Sequence, residues 1–212
     1  PPEGEQPEIA DYAATLLAAL DVLGLERFHL YGTHTGARIA CHIGITRPER
    51  IERLILDGFG LYTPEDLDRI LSVYAPEIVP DQQGVHVMQA WQLCRDQFLW
   101  FPWFRREAAA RVPHDLPSAE MLHLRFVEIL KALGSYHKSY RAAFRYAMRD
   151  HVPRLEVPTL ITFAENDLVR PVFEEAATLL PGAETALLPG IRTPEAAAET
   201  AARFTRFLIA AD

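Results

Sequence analysis

Apolar residues recur at positions 9, 12, 13, 16, 17, 20 and 23, the spacing of one helical face, and Gly24 supplies the C-cap that ends it. A short apolar run then predicts a strand over about 27–31. From Ala37 to Thr46 the pattern is helical again and stops at Arg47-Pro48. Leu54-Ile55-Leu56 lie in a second short strand, about 53–57, that breaks at Gly58. Two strands separated by one helix predict a right-handed parallel unit.

Beyond Leu61 the strand pattern disappears as far as about Leu155. Helices are predicted there over 64–74, 86–99, 103–111, 118–133 and 138–150, separated by Pro and Gly. Strand character returns at 158–163, followed by a helix over 171–180 that Pro181-Gly182 ends. A last strand covers 184–188. The terminal helix, 194–210, opens with Thr193 as N-cap and Pro194 in the first helical position. The patterning predicts an α/β fold with a mostly parallel sheet of about four strands. Its core falls in two parts, 1–60 and 153–212, around a helical block at 61–152.

Composition narrows the function classes. The 212 residues are 49% hydrophobic and 24% charged, ordinary for a globular protein able to bury a sizeable core. A formal charge of −8 disfavours nucleic acid or an anionic membrane surface as partner. No apolar run approaches the ~20 residues that a membrane span needs, and no signal peptide is evident. Cys41 and Cys94 make neither a disulfide framework nor a metal motif, so a reducing cytoplasm is the expected setting. No metal and no cofactor is expected. The opening Pro-Pro-Glu-Gly reads like the interior of something longer.

The stretch with most chemistry is Tyr31-Gly32-Thr33-His34-Thr35-Gly36, set between the first strand and its helix. Strand, Gly-x-x-x-Gly turn and helix together are the context of a nucleophile elbow. Such a turn is strained, and a Cβ at either glycine is expected to collide as helix folds back on strand. Its central residue, here His34, projects from the carboxyl end of the sheet over the positive end of the helix. An imidazole there, oriented by a carboxylate, could activate water or abstract a proton.

These residues resemble the α/β-hydrolase superfamily, in particular its capped members, the haloalkane dehalogenases and epoxide hydrolases. Three pieces carry the resemblance: Gly32-Thr-His-Thr-Gly36 with Arg47-Pro-Glu-Arg50 and Leu54-Ile-Leu56; Val157-Pro-Thr-Leu-Ile with Glu165-Asn-Asp167; and Leu187-Leu-Pro-Gly190. The resemblance implies the second half of that fold, with 61–152 as an inserted helical cap. It places His34 at the nucleophile position, Asp167 at the acid, and the backbone N–H of Thr35 in the oxyanion hole. Asp57, at the end of the second strand, is the alternative acid. The place of the catalytic base is empty: Ile191-Arg192-Thr193 follows Gly190, and no histidine occurs after His151. An ordinary Ser–His–Asp mechanism therefore cannot be written. Arg192 could serve there as an anion clamp or lie solvated in its loop.

The aromatics Trp91, Phe98, Trp100, Phe101, Trp103 and Phe104 either fill a helical core or line an apolar substrate cavity. His29 and His42 read as packing or surface residues, and His86, His114, His123, His137 and His151 belong to the helical block. The implied activity is hydrolysis of small apolar ester-, epoxide- or halide-type substrates with a degenerate triad. A non-catalytic ligand-binding protein and a cofactor-free lyase or oxygenase using the His–Asp pair are the alternatives. The superfamily's sheet has about twice four strands, so the strand at 27–31 is expected to border an uncovered flank. Either a preceding segment or a second copy in a homodimer would cover it.

Overall fold

The computed structural model describes residues 4, 6–113 and 115–210. In chain order they form α1 (Ile9–Val22), β1 (Phe28–Thr33), α2 (Thr35–Thr46), β2 (Ile51–Asp57), α3 (Pro64–Val73), α4 (Val85–Asp96), α5 (Ala119–Lys131), α6 (Tyr136–Arg145), α7 (Met148–His151), β3 (Thr159–Ala164), α8 (Phe173–Thr178), β4 (Glu184–Leu188) and α9 (Pro194–Leu208). The chain divides into two compact units. One comprises Pro1–Tyr62 with Arg145–Asp212, and the other Thr63–Phe144. Residues 145–152, expected with the helical block, fall in the first unit.

The first unit is built on a parallel sheet in the order β1-β2-β3-β4. β2 and β3 lie inside it, and their centres, Leu54-Ile55-Leu56 and Leu160-Ile161, are apolar and buried, as the middle of strands covered on both faces must be. Alternation along β2 explains the covering. Leu54 meets Gly44 of α2, whereas the next residue, Ile55, packs with Leu160 against Phe207 of α9. Leu54, Ile55, Leu160 and Ile161 are sealed from solvent, and each such side chain contributes about 1.5–3 kcal/mol by leaving water. β1 pairs only with β2 among the described residues and so forms an edge of the sheet. It runs two residues further than the apolar pattern suggests, into the turn that starts α2.

The second unit is helical. Thr63 and Ser118 cap α3 and α5, their hydroxyls accepting from the N–H groups of Asp66 and Met121. Ile78, Ala90 and Leu93 form a core against Trp103, Phe126, Ile129, Leu130, Leu133 and Tyr136. The segment 103–111, expected as a helix, is a loop closed by a single short turn at Ala108–Ala110. Its backbone finds partners across the loop instead: Phe101 N–H donates to Ala110 and Val112 N–H to Leu99. Arg106 is drawn away to Asp96, which is 0% exposed and also holds Arg95. Likewise 138–150 is not one helix, because the chain breaks between α6 and α7 at Tyr146-Ala147.

Candidate active site

His34 sits between β1 and α2 as the N-cap of α2, with φ 49° and ψ −108°. It is the one non-glycine residue at positive φ among those described, a conformation that costs energy and persists only where surroundings enforce it. They do so from both sides. The His34 N–H donates to the carbonyls of Asp57 (3.1 Å) and Gly58 (2.9 Å). Its own carbonyl accepts from Arg38 Nη1 at 3.1 Å. Gly32 answers to a close approach, since a Cβ there would strike the Gly36 carbonyl. Gly36 does not: a Cβ on it meets open space. Only one of the two glycines is needed for room.

The strained backbone leaves the imidazole 57% exposed rather than packed beneath α2. Its Nε2 lies 3.4 Å from Oδ2 of Asp167, whose side chain is 12% exposed. Asp167 stands in the turn after β3, where its N–H donates to Ala164 and its Oδ1 accepts from the Val169 N–H at 2.9 Å. One oxygen is thus held by backbone and the other faces the histidine. Gly58, at φ 61°, closes the space, as a Cβ there would come within 2.5 Å of Asp167 Oδ2 and 3.4 Å of His34 Cε1.

Asp57 ends β2 beside this pair. It accepts from the Tyr31 hydroxyl at 2.8 Å and from the Thr162 hydroxyl at 3.0 Å. Burial pushes its carboxyl above the usual range, with a smaller push from Asp167, against those two hydrogen bonds. Burial and Asp57 together push the Tyr31 hydroxyl upward too. Thr35 opens α2, where first-turn N–H groups have no intrahelical partner. Arg192 is exposed in the bend before α9.

The aromatics lie in the helical unit. Trp91 meets Phe126 edge-on, Trp103 donates to the Tyr74 carbonyl at 2.8 Å, and Phe104 packs edge-on to both Trp103 and Tyr74. Trp100 bridges to Arg111 and Phe101 to Ala110. Phe98 lines a cavity of about 360 Å³ with Cys94, Gln97, Ile129, Tyr136 and Tyr140.

The other histidines have local duties. His29 pairs with Glu52, His86 with Asp81, and His42 and His151 both pack on Tyr146. His137 is buried, His123 is exposed, and His114 lies outside the described residues. Among the described residues no group of three His, Cys, Asp or Glu could hold a metal. Burial pushes the Cys41 thiol up to about 12, which keeps it protonated and inert.

Arg38, and the hydroxyls of Tyr31 and Thr162 that hold Asp57, are the site's unforeseen members. Arg38 had a signal: a charged residue four places beyond His34, one turn along the same helix.

No protein-family model and no curated protein matches the chain. Solved structures do. A hydrolase from Pseudomonas aeruginosa PA01 is 21% identical, with 99% of this chain and 74% of that one covered at a TM-score of 0.64. An enol-lactonase from Burkholderia xenovorans LB400 is 19% identical over 98% and 76%, at 0.66. Epoxide hydrolase A from Mycobacterium thermoresistibile is 18% identical over 95% and 75%, at 0.61. At such identities the likeness shows the fold, and the fold is that of the α/β-hydrolases. No described helix is long and apolar enough to cross a membrane.

Proposed function

We propose that this chain is a hydrolase of small apolar substrates in which His34, oriented by Asp167, is a general base at the elbow. The observation that carries the reading is the His34 Nε2–Asp167 Oδ2 approach of 3.4 Å at a residue held in a strained backbone. Strain concentrated on an exposed titratable side chain is a mark of working sites. Esters suit the base best, because a carbonyl accepts hydroxide directly.

With Nε2–H directed to Asp167, the Nδ1 lone pair takes a proton from water as its oxygen attacks the ester carbonyl. The carbonyl π pair moves to oxygen, and the resulting oxyanion is met by the Thr35 N–H at the positive end of α2. Asp167 stabilises the imidazolium. Collapse then expels the alkoxide, which leaves as alcohol with the proton that His34 returns. The substrate-lining role of Trp91, Phe98, Trp100, Phe101 and Trp103, and that of the helical block 61–152 as a cap, belong to the same proposal. The apolar character of those rings supports it. Epoxides and halides are the further substrates of this reading, and Asp57 is the alternative acid.

The test is hydrolysis of short p-nitrophenyl esters. Wild type should turn them over, and His34→Ala should lose ~10²–10⁴ in kcat/KM, the usual contribution of a positioned base. Equal turnover in the variant overturns the reading. The missing histidine after Gly190 favours a second one, a ligand-binding protein on the same scaffold. Its sign would be ligand-induced stabilisation without turnover.

A further inference from the structure

Arg38 is 4% exposed, deep in the first turns of α2, yet among the described residues no carboxylate pairs with it. A buried guanidinium without a counter-charge is costly and needs a reason. Its two hydrogen bonds supply one. Nη1 donates to the His34 carbonyl and Nη2 to the Gly60 carbonyl, each at 3.1 Å, while Nε is buried without a partner. Gly60 follows β2 in the loop whose Gly58 carbonyl accepts from the His34 N–H. His34 is therefore fastened to that loop twice, once by its own N–H and once through the guanidinium fork.

We infer that Arg38 is a positioning residue: it clamps the elbow to the loop after β2 and so holds His34 in the positive-φ conformation that aims its ring at Asp167. This rests on the reading of His34 and Asp167 as the working pair. Three features make arginine suited to the task. Its planar fork reaches two carbonyls at once, which the single ammonium of lysine does less well. Its place one helical turn after His34 brings the fork under the residue it holds. The third is that a left-handed non-glycine residue relaxes unless its flanking peptides are fixed on both sides. Here the N–H is fixed by Asp57 and Gly58, and the carbonyl by Arg38.

The test reads the ring itself and needs no turnover, so it stands apart from the success or failure of the hydrolase reading. Imidazole ¹⁵N signals are recorded on the whole chain, with His34 assigned by comparison with His34→Ala. In wild type, Asp167→Asn should move the His34 Nε2 signal, because its acceptor has changed. In Arg38→Met the same Asp167→Asn change should move it by less than half as much, with the other histidine signals unaltered. If Arg38→Met does not fold, Arg38→Lys carries the test, since it keeps the charge and gives up the fork. A response equal to wild type in whichever variant folds overturns the inference. An arginine that merely stabilised the helix would lower the melting temperature and leave that response intact.

Discussion

Gly32 and Gly36 bracket the elbow symmetrically in the sequence and differ entirely in what surrounds them. A methyl group on Gly32 would enter the Gly36 carbonyl, which is backbone and cannot yield. On Gly36 it would face open space in the first turn of a helix. Gly32→Ala should therefore destabilise by more than about 2 kcal/mol, as backbone collisions do. Gly36→Ala should stabilise by about 0.5–1 kcal/mol through the entropy of the unfolded chain. Urea unfolding of both decides it, and equal effects would contradict the packing. Asp57 makes a second prediction. Its folded-state carboxyl is raised, so the folded protein binds that proton more tightly than the unfolded one. Its contribution is fully present below the ordinary carboxylate range and is lost as pH rises through the raised value. Asp57→Asn should remove that loss. Relative to wild type, the variant should gain melting temperature between pH 4 and pH 7. A constant difference across that interval would show that Asp57 is not raised. At this scale the sequence displays His34, Asp167 and Asp57 as residue types in a recognisable turn and at strand ends. It hides their partners, because Tyr31, Thr162 and Arg38 acquire their roles only when register and burial bring them together.

Elements were most legible where local chemistry and periodicity agree. The first helix shows its apolar stripe, and the last shows Thr193 accepting from the Ala196 N–H with Pro194 next. The two inner strands stand out by their apolar clusters Leu54-Ile55-Leu56 and Leu160-Ile161, since a strand covered on both faces concentrates such residues. The outer strands have fewer buried residues and are placed by the glycines and prolines that bound them. Segment 103–111 failed because its backbone pairs across a loop and its Arg106 serves the buried Asp96, neither of which leaves a periodic trace. The sheet carries its own prediction. β3 has neighbours on both sides, whereas β1 has one among the described residues. Hydrogen exchange should protect the amides of Leu160–Phe163 far more than those of β1, because edge groups meet solvent. Equal protection in dilute solution would mean that another strand covers β1, and light scattering would then tell whether a second copy supplies it.

For the whole molecule, the fold supplies a rigid parallel sheet whose carboxyl ends present His34, Asp57 and Asp167 together. That convergence could be read ahead from topology, since strands and turns of this kind place their chemistry at one edge of the sheet. The net charge of −8 sets no obstacle to small neutral substrates. What the sequence alone leaves open is whether His34 and Asp167 act as one unit, and a mutant cycle on ester hydrolysis answers that most directly. kcat/KM is measured for wild type, His34→Ala, Asp167→Asn and the double variant. Residues that act as a unit lose function non-additively. The double variant should therefore be no worse than His34→Ala alone, while Asp167→Asn loses a smaller share. Additive losses, or wild-type turnover in Asp167→Asn, would contradict a His34–Asp167 base.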